Sequence, residues 1–301
     1  METGKPFDEL LAEQGAGMKL AERMRRLRDL PPLPETVIRI LALRQHEEVN
    51  ARDLIDIVEQ DPVLAAQLIS YANSAFFTHH SPVTAIDDAV LRVVGVSPAL
   101  ELALGLSVGR VLHISTDGVL GARRLWRHAT YSAALMQQLA GQIPAAKRPD
   151  PGTAYLCGLL HDIGLFVLGY LFPQEHQALS QLVQRHPDVA LNRLEYNLMG
   201  VSHGELGQMA MRYWDMPQML ATVARHHHNT DYDGEHETLI GLLNLVEALL
   251  SSQGLTDTPV LELDEALLER LGLEEENVIL IADEVIQAGD SLEQLARQLC
   301  A

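Results

Sequence analysis

Cysteines, aromatic residues and basic residues are all scarce in this 301-residue chain. It has only two cysteines, Cys157 and Cys300, too few and too far apart for a disulfide framework or a thiolate zinc site, which favours a reducing compartment. Aromatic residues make up 5% of the sequence and hydrophobic residues 47%, so the core has to be built mainly from aliphatic side chains. This composition is typical of packed helices.

Positive charge is the next deficit, because 22 Lys and Arg residues are set against 41 Asp and Glu residues, leaving a formal net charge of −19. Proteins that follow nucleic-acid phosphates or bind anionic membranes need a basic surface. We therefore expect neither nucleic acid nor membrane as a partner. The first residues lack the basic-then-apolar order of a signal peptide, which predicts a cytoplasmic protein.

The sequence has one long hydrophobic run, "AYLCGLLHDIGLFVLGYLF" at 154–172, and it carries His161 and Asp162 at its centre. An ionisable group at mid-bilayer costs about 2.5 kcal/mol or more, which argues against a membrane span. In a soluble helix the pair still needs hydrogen-bonding or metal partners, because a buried polar group without them is costly. The run therefore predicts a polar site inside a helical core.

Strand signals are few, whereas helix starts recur. Asp61–Pro62 and Ser97–Pro98 each place a capping residue and a proline before a run with apolar residues every three or four positions. We find no internal repeat and no low-complexity tract. The pattern predicts an all-α fold.

A turn-rich segment, "HISTDGVLGARR", follows Leu112 and marks a plausible lobe boundary. We predict four parts, namely a helical extension over 1–29, an N-terminal lobe over 30–112, a C-terminal lobe over 122–252 and acidic helices over 257–301. The last part holds twelve acidic and two basic residues from Asp257 onward. Either a solvated acidic face or a partner-docking element would explain this charge.

The histidines of the C-terminal lobe form the most informative pattern. All of them fall in stretches that we interpret as helical. The six in this pattern, apart from His176, His186 and His236, are His128, His161 beside Asp162, His203, and the triplet His226, His227 and His228. Helices that converge on one point could place these imidazoles and the carboxylate around a divalent cation. Imidazole suits Fe and Zn, and carboxylate also accepts Mn and Mg, so these are the candidate metals.

The motif "GLLHDIG" resembles the HD superfamily of metal-dependent phosphohydrolases, and the residue order resembles its HD-GYP branch. The resemblance implies a shared metal site built from His128, His161, Asp162, His203, His226 and His227. Two positions depart from the pattern. Asn244 replaces the final Asp ligand, and Leu165 replaces the Lys that follows the glycine of the motif.

The N-terminal lobe resembles a different branch. The stretches "LPPLPETVIRILAL", "DPVLAAQLISYANSAFF" and "VTAIDDAVLRVVG" are similar to the HDOD family, the HD-related output domains of bacterial signalling proteins. The resemblance covers about residues 30 to 250. It implies a two-lobed, all-helical fold and a regulatory role with a signalling protein as partner.

Two functions follow as alternatives. The first is a signal-transduction output module that keeps a metal site without catalysis. The second is a metal-dependent phosphohydrolase acting on nucleotides or cyclic dinucleotides, with a nucleotide as ligand. The neutral side chains of Asn244 and Leu165 favour the first, because a phosphohydrolase needs anionic metal ligands and a phosphate-facing cation. No catalytic residue is assigned.

The site hypothesis makes a geometric prediction. His128, His161, Asp162 and His203 should converge in one pocket with at least one of His226 and His227. Adjacent residues on a regular helix point about 100° apart, so we expect only one of that pair to reach the pocket.

Overall fold

The computed structural model describes residues 26–46, 48–74, 77, 81–256 and 261–300. Within these ranges every regular element is a helix and no strand occurs. The prediction of an all-α fold is confirmed. Residues 1–25, which make up most of the predicted N-terminal extension, lie outside the described residues, as do 257–260 at the start of the acidic part.

The N-terminal lobe consists of a 3₁₀ turn, Leu27–Asp29, and five helices. They are α1 (Glu35–Arg44), α2 (Ala51–Glu59), α3 (Pro62–Ala72), α4 (Ile86–Asp88) and α5 (Val96–Gly109). Helix α4 runs directly into a π-helical turn, Ala89–Val94, which ends at Gly95. Gly95 has a φ of 90°, a conformation that glycine adopts without steric cost.

The C-terminal lobe holds eight helices. They are α6 (Ala122–Ala140), α7 (Pro151–Leu160), α8 (Ile163–Leu171), α9 (Pro173–Arg185), α10 (Leu191–Met199), α11 (His203–Tyr213), α12 (Gln218–His226) and α13 (Glu237–Ser252). Three further helices follow, α14 (Glu265–Leu271), α15 (Glu275–Gln287) and α16 (Gly289–Leu299). Residues 111–121, where the sequence predicts a boundary, contain no helix. The buried aliphatic side chains of both lobes nevertheless form one connected core.

Helix α3 begins as the sequence predicts. The Asp61 carboxylate accepts hydrogen bonds from the backbone amides of Val63 and Leu64, and Pro62 occupies the first helical position. The same carboxylate binds Arg110 at the end of α5, with 2.5 Å between its Oδ2 and Nη2 of the arginine. The prediction for Ser97 is wrong, because α5 begins at Val96 after Gly95 and no side chain caps it.

Stability should depend on pH through Asp61, because its hydrogen bond to Arg110 holds the pKa of the carboxyl below the ordinary value of 3.8. A carboxyl group whose pKa is lower in the folded protein stabilises the fold at pH values above its pKa in the unfolded chain. This stabilisation is lost as the pH falls through its pKa in the folded protein. Asp61→Asn keeps the cap and should cost about 0.5–1 kcal/mol at pH 7. Thermal melts should show that cost shrinking below pH 3.8. Asp53→Asn, an exposed position in α2, serves as the control, and an equal effect there would contradict the assignment.

The long apolar run is two helices rather than one. Helix α7 ends at Leu160, and α8 starts at Ile163 after a turn in which Asp162 has φ −95° and ψ 15°. The stretch Pro151–Leu171 is long and apolar enough to cross a membrane, but 89% of its most apolar window is buried inside the protein. The polar pair therefore lies at a helix junction, where the backbone can direct both side chains to one side.

Helix α16 packs against both lobes. Gln67 of α3 donates a hydrogen bond to the carbonyl of Gln298 (3.3 Å), and Gln294 donates to the hydroxyl of Ser70 (3.2 Å). On the C-terminal lobe, the Glu293 carboxylate forms an ion pair with Arg127 of α6. The last described helix therefore connects the first lobe to the second.

Candidate metal centre

Six helices bring polar side chains to one buried point in the C-terminal lobe. His128 lies on α6, His161 and Asp162 at the junction of α7 and α8, His203 at the start of α11, and His227 directly after α12. All four histidines are at most 7% exposed. Glu247 of α13 reaches the same point.

A first group of potential ligands consists of His128, His161 and Glu247. The Nε2 atoms of the two histidines are 3.1 Å apart. Oε1 of Glu247 lies 2.9 Å from Nε2 of His128 and 3.6 Å from Nε2 of His161. Despite the short contact with His128, this oxygen is buried without a hydrogen bond of acceptable geometry. A cation between the three atoms would satisfy it.

A second group consists of Asp162, His203, His227 and His228. Nε2 of His203 lies 3.1 Å from Nε2 of both His227 and His228. Oδ1 of Asp162 is 3.3 Å from Nε2 of His203 and 3.4 Å from Nε2 of His227. Donor atoms around a tetrahedral zinc ion are about 3.3 Å apart, as follows from bonds of about 2.0–2.1 Å. The second group has this spacing.

Asp162 belongs to both groups. While Oδ1 faces the second group, Oδ2 lies 3.2 Å from Nε2 of His161 and 3.8 Å from Nε2 of His128. One carboxylate therefore places one oxygen in each group. This is the arrangement expected of a carboxylate that bridges two metal ions.

The tautomers of three ligand histidines follow from their outer contacts. In His161, Nδ1 lies 2.8 Å from the carbonyl oxygen of Gly158. In His227 it lies 2.8 Å from the carbonyl oxygen of Ala224, and in His128 it lies 3.1 Å from that of Leu255. A carbonyl can only accept, so each Nδ1 carries the proton. Nε2 is then the nitrogen that each ring turns toward the cluster, where its lone pair can bind a cation.

His203 has an anionic outer partner. Its Nδ1 lies 2.8 Å from Oε1 of Glu195, and Oε2 of the same carboxylate accepts the backbone amide of His203 (3.0 Å). Glu195 lies on α10 and is fully buried. Carboxylate partners of this kind orient metal-binding histidines and increase their basicity.

Charges within the cluster shift several pKa values. Burial opposes the imidazolium form of His128, yet the carboxylates of Glu247 and Asp162 raise its pKa to about 9. Burial also opposes ionisation of Asp162, but hydrogen bonds and charge from the surrounding histidines hold its pKa well below 3.8. Burial and the neighbouring histidines lower the pKa of His228. Without metal, protons on some histidines therefore balance the two carboxylates.

The structure departs from the site prediction at four residues. His226 stays outside the cluster, and its ring packs against Tyr232 with 4.6 Å between ring centres. His228 joins the cluster because α12 ends at His226, so the helical spacing no longer applies to the residues that follow. Asn244 also stays outside the ligand groups, because its amide donates to the carbonyl of Ile240. Glu247, one turn further along α13, supplies the carboxylate that Asn244 lacks.

This correction can be tested by metal content. Glu247→Gln should lose the ion of the first group, because a neutral amide is a weaker ligand than a carboxylate. Asn244→Ala should keep both ions and lose only the amide's hydrogen bonds to the carbonyls of Ile240 and Asn229, at a cost of about 1 kcal/mol. Inductively coupled plasma mass spectrometry of both variants gives the answer. Loss of metal from Asn244→Ala but not from Glu247→Gln would contradict the assignment.

A pocket with an empty volume of about 530 Å³ opens onto the cluster. Its wall includes Asp162, His128, Glu247 and His228 from the ligand groups. Arg124 and Arg127 supply positive charge, while Leu165 and four other leucines make much of the wall apolar. The pocket wall thus combines positive charge with apolar surface.

In a comparison with protein families, the HDOD domain matches residues 30–230 of this chain. A curated but uncharacterized protein from Treponema pallidum (strain Nichols) is 25% identical over 275 residues, which cover 90% of this chain and 52% of that protein. The chain thus spans about half the length of this relative.

Solved structures extend the comparison. A candidate signal transduction protein from Marinobacter aquaeolei VT8 superposes with a TM-score of 0.81 at 32% identity, covering 98% of this chain and 65% of that one. A candidate phosphohydrolase from Shewanella amazonensis SB2B gives a TM-score of 0.71 at 21% identity and covers 94% of this chain and 100% of that one. At that identity the second likeness concerns the fold alone.

Proposed function

Because this chain belongs to the HDOD-domain family, we propose that it is a cytoplasmic bacterial signal-transduction protein whose C-terminal lobe binds two divalent metal ions. The observation that carries the proposal is the position of Asp162, which has one carboxylate oxygen in each of two ligand groups. The similarity to the Marinobacter protein supports the signalling role. A signalling protein is the proposed partner.

The donor set narrows the choice of metal. The two groups contain five imidazoles and two carboxylates, and no thiolate. Magnesium prefers oxygen ligands, whereas Fe, Mn and Zn accept this mixture, with Fe and Zn best suited to so many imidazoles. Elemental analysis of untagged protein, purified without chelator, should find about two such ions per chain. A metal-free protein that also fails to bind added Fe, Mn or Zn would overturn the proposal.

Phosphoester hydrolysis is the second candidate function, and the pocket that reaches Asp162 favours it. Divalent ions supply Lewis-acid polarisation of phosphoryl oxygens in such centres. Arg127 and Arg124 would bind the phosphate of a nucleotide or cyclic dinucleotide at the pocket wall. However, Arg127 is already paired with Glu293, and Leu165 offers no charge at its position. We therefore propose a regulatory role over a catalytic one.

A hydrolysis assay distinguishes the regulatory role from phosphoester hydrolysis. Protein loaded with Mn or Fe should hydrolyse bis(p-nitrophenyl) phosphate and cyclic dinucleotides at rates near the background, because Arg127 is paired with Glu293 and Leu165 carries no charge. Asp162→Asn serves as the control for contaminating activity. Robust hydrolysis by the wild type that Asp162→Asn abolishes would establish the enzyme instead.

A further inference from the structure

A second pocket borders the metal-ligand cluster and shares His228 with the first pocket. It encloses about 700 Å³ of empty space, including its open mouth. Residues from α10, the start of α11 and the end of α12 form its wall, among them Tyr196, Gly204, Arg225 and His226.

The wall of this second pocket is rich in hydrogen-bond donors. Arg225 contributes its guanidinium, of which Nη2 binds Glu205 (3.1 Å) while other N–H groups remain available. The backbone amide of Gly204 lies in the first turn of α11 and has no hydrogen-bond partner among the described residues. No carboxylate is among the described residues that line the pocket. Such a wall favours an anion, which is unusual in a chain with a net charge of −19.

Among the described residues, His228 is the one histidine of the two ligand groups whose Nδ1 faces no hydrogen-bond acceptor. Nδ1 of the other four histidines faces a carbonyl or the Glu195 carboxylate. In His228, Nε2 faces His203, and Nδ1 has no hydrogen-bond partner in the described part of the chain. Metal-binding histidines almost always donate this second N–H, and losing the partner typically costs 10–100-fold in metal affinity.

We propose that the second pocket binds a phosphate-bearing small molecule of mononucleotide size, whose phosphate accepts hydrogen bonds from Arg225, Gly204 and Nδ1 of His228. Tyr196, which is 45% exposed, and the ring of His226 stacked on Tyr232 offer flat surfaces for a base. Through His228 the bound phosphate completes the outer contacts of the second ligand group. The ligand is thus an effector of the metal centre. This coupling rests on the proposed function, whereas the binding itself does not.

The test uses isothermal titration calorimetry with AMP, inorganic phosphate and adenosine. Wild type should bind AMP saturably and adenosine much more weakly. Arg225→Gln should weaken AMP binding about tenfold or more, as expected for loss of a charged hydrogen-bond donor. Arg212→Gln provides the matched control, because Arg212 is an exposed arginine on α11 outside the pocket. Metal content is measured on the same samples.

The results separate the two proposals. If Arg225→Gln binds AMP as tightly as wild type, or if wild type shows no saturable binding, the pocket assignment is overturned. If AMP binding depends on Arg225 in a protein that holds no metal, the pocket stands and the proposed function fails. For the coupling, saturating AMP should tighten Mn or Zn binding to wild type about tenfold, and this gain should vanish in Arg225→Gln. An unchanged metal affinity would overturn the effector role.

Discussion

A His161→Ala/Asp162→Ala variant is expected to purify without bound metal and to melt well below the wild type. The substitution removes the carboxylate shared by both ligand groups and one imidazole of the first. It also removes the anion that lies 3.3 Å from Nε2 of the buried His203 and 3.4 Å from Nε2 of the buried His227. Removing one partner from a buried ionic network costs about 3–5 kcal/mol, and lost metal binding adds to this.

The control for this variant uses the same two residue types at exposed positions. His113 and Asp117 lie in the non-helical segment before α6, and both are exposed. The His113→Ala/Asp117→Ala variant should keep its metal and its melting temperature. Elemental analysis and thermal melts of the two double variants then give a direct comparison. Two bound ions in the His161→Ala/Asp162→Ala protein would refute the shared site.

Gly164→Ala is expected to be nearly as damaging, although it adds a single methyl group. A Cβ at this position would lie 1.8 Å from the carbonyl oxygen of His203 and 2.8 Å from the amide nitrogen of Gly207. Both are backbone atoms, so α8 and α11 must move apart to make room. Overpacking of this kind costs about 3 kcal/mol and exceeds the gain of about 1 kcal/mol in helix propensity.

The movement of α8 away from α11 in Gly164→Ala should also disturb the candidate metal centre. Because the clashing atom belongs to His203, Gly164→Ala should lose the ion of the second group before that of the first. Denaturant unfolding and metal content measure the two effects. Gly141→Ala is the control, since its nearest non-neighbour atom is 3.3 Å away and its φ is −62°. If both variants were equally stable, the close approach of α8 and α11 would not be a packing constraint.

The residues that cluster at the site could be predicted where they belong to a sequence motif. The sequence was less informative where the course of the backbone determines which residue reaches the cluster. His128, His161, Asp162 and His203 follow from their order in the sequence. His228 could not be deduced from helix phase, because the helix ends two residues earlier. Glu247 did leave a signal, since an acidic residue within "LLNLVEALL" stands in an apolar stretch as His161 and Asp162 do.

The fold shows the same contrast. Composition and helix-start signals predict an all-α chain, and Asp61 caps its helix as expected. The break between α7 and α8 is not visible in the residue pattern, because apolar residues continue on both sides of it. The turn is fixed by tertiary contacts, in which Gly164 lets α8 lie against α11. Local sequence signals do not report such contacts.

The packing of α16 against both lobes has a consequence for how the protein folds during synthesis. The contact between Gln67 and Gln298 closes a loop of 231 residues, so it cannot form until residue 298 has been synthesised. Until then, the apolar surfaces of α3 and α6 that α16 covers stay open. Contacts of such long range slow folding, and intermediates with uncovered apolar surface tend to aggregate. We therefore expect ribosome-bound chains that end before residue 289 to bind chaperones more strongly than chains that include α16.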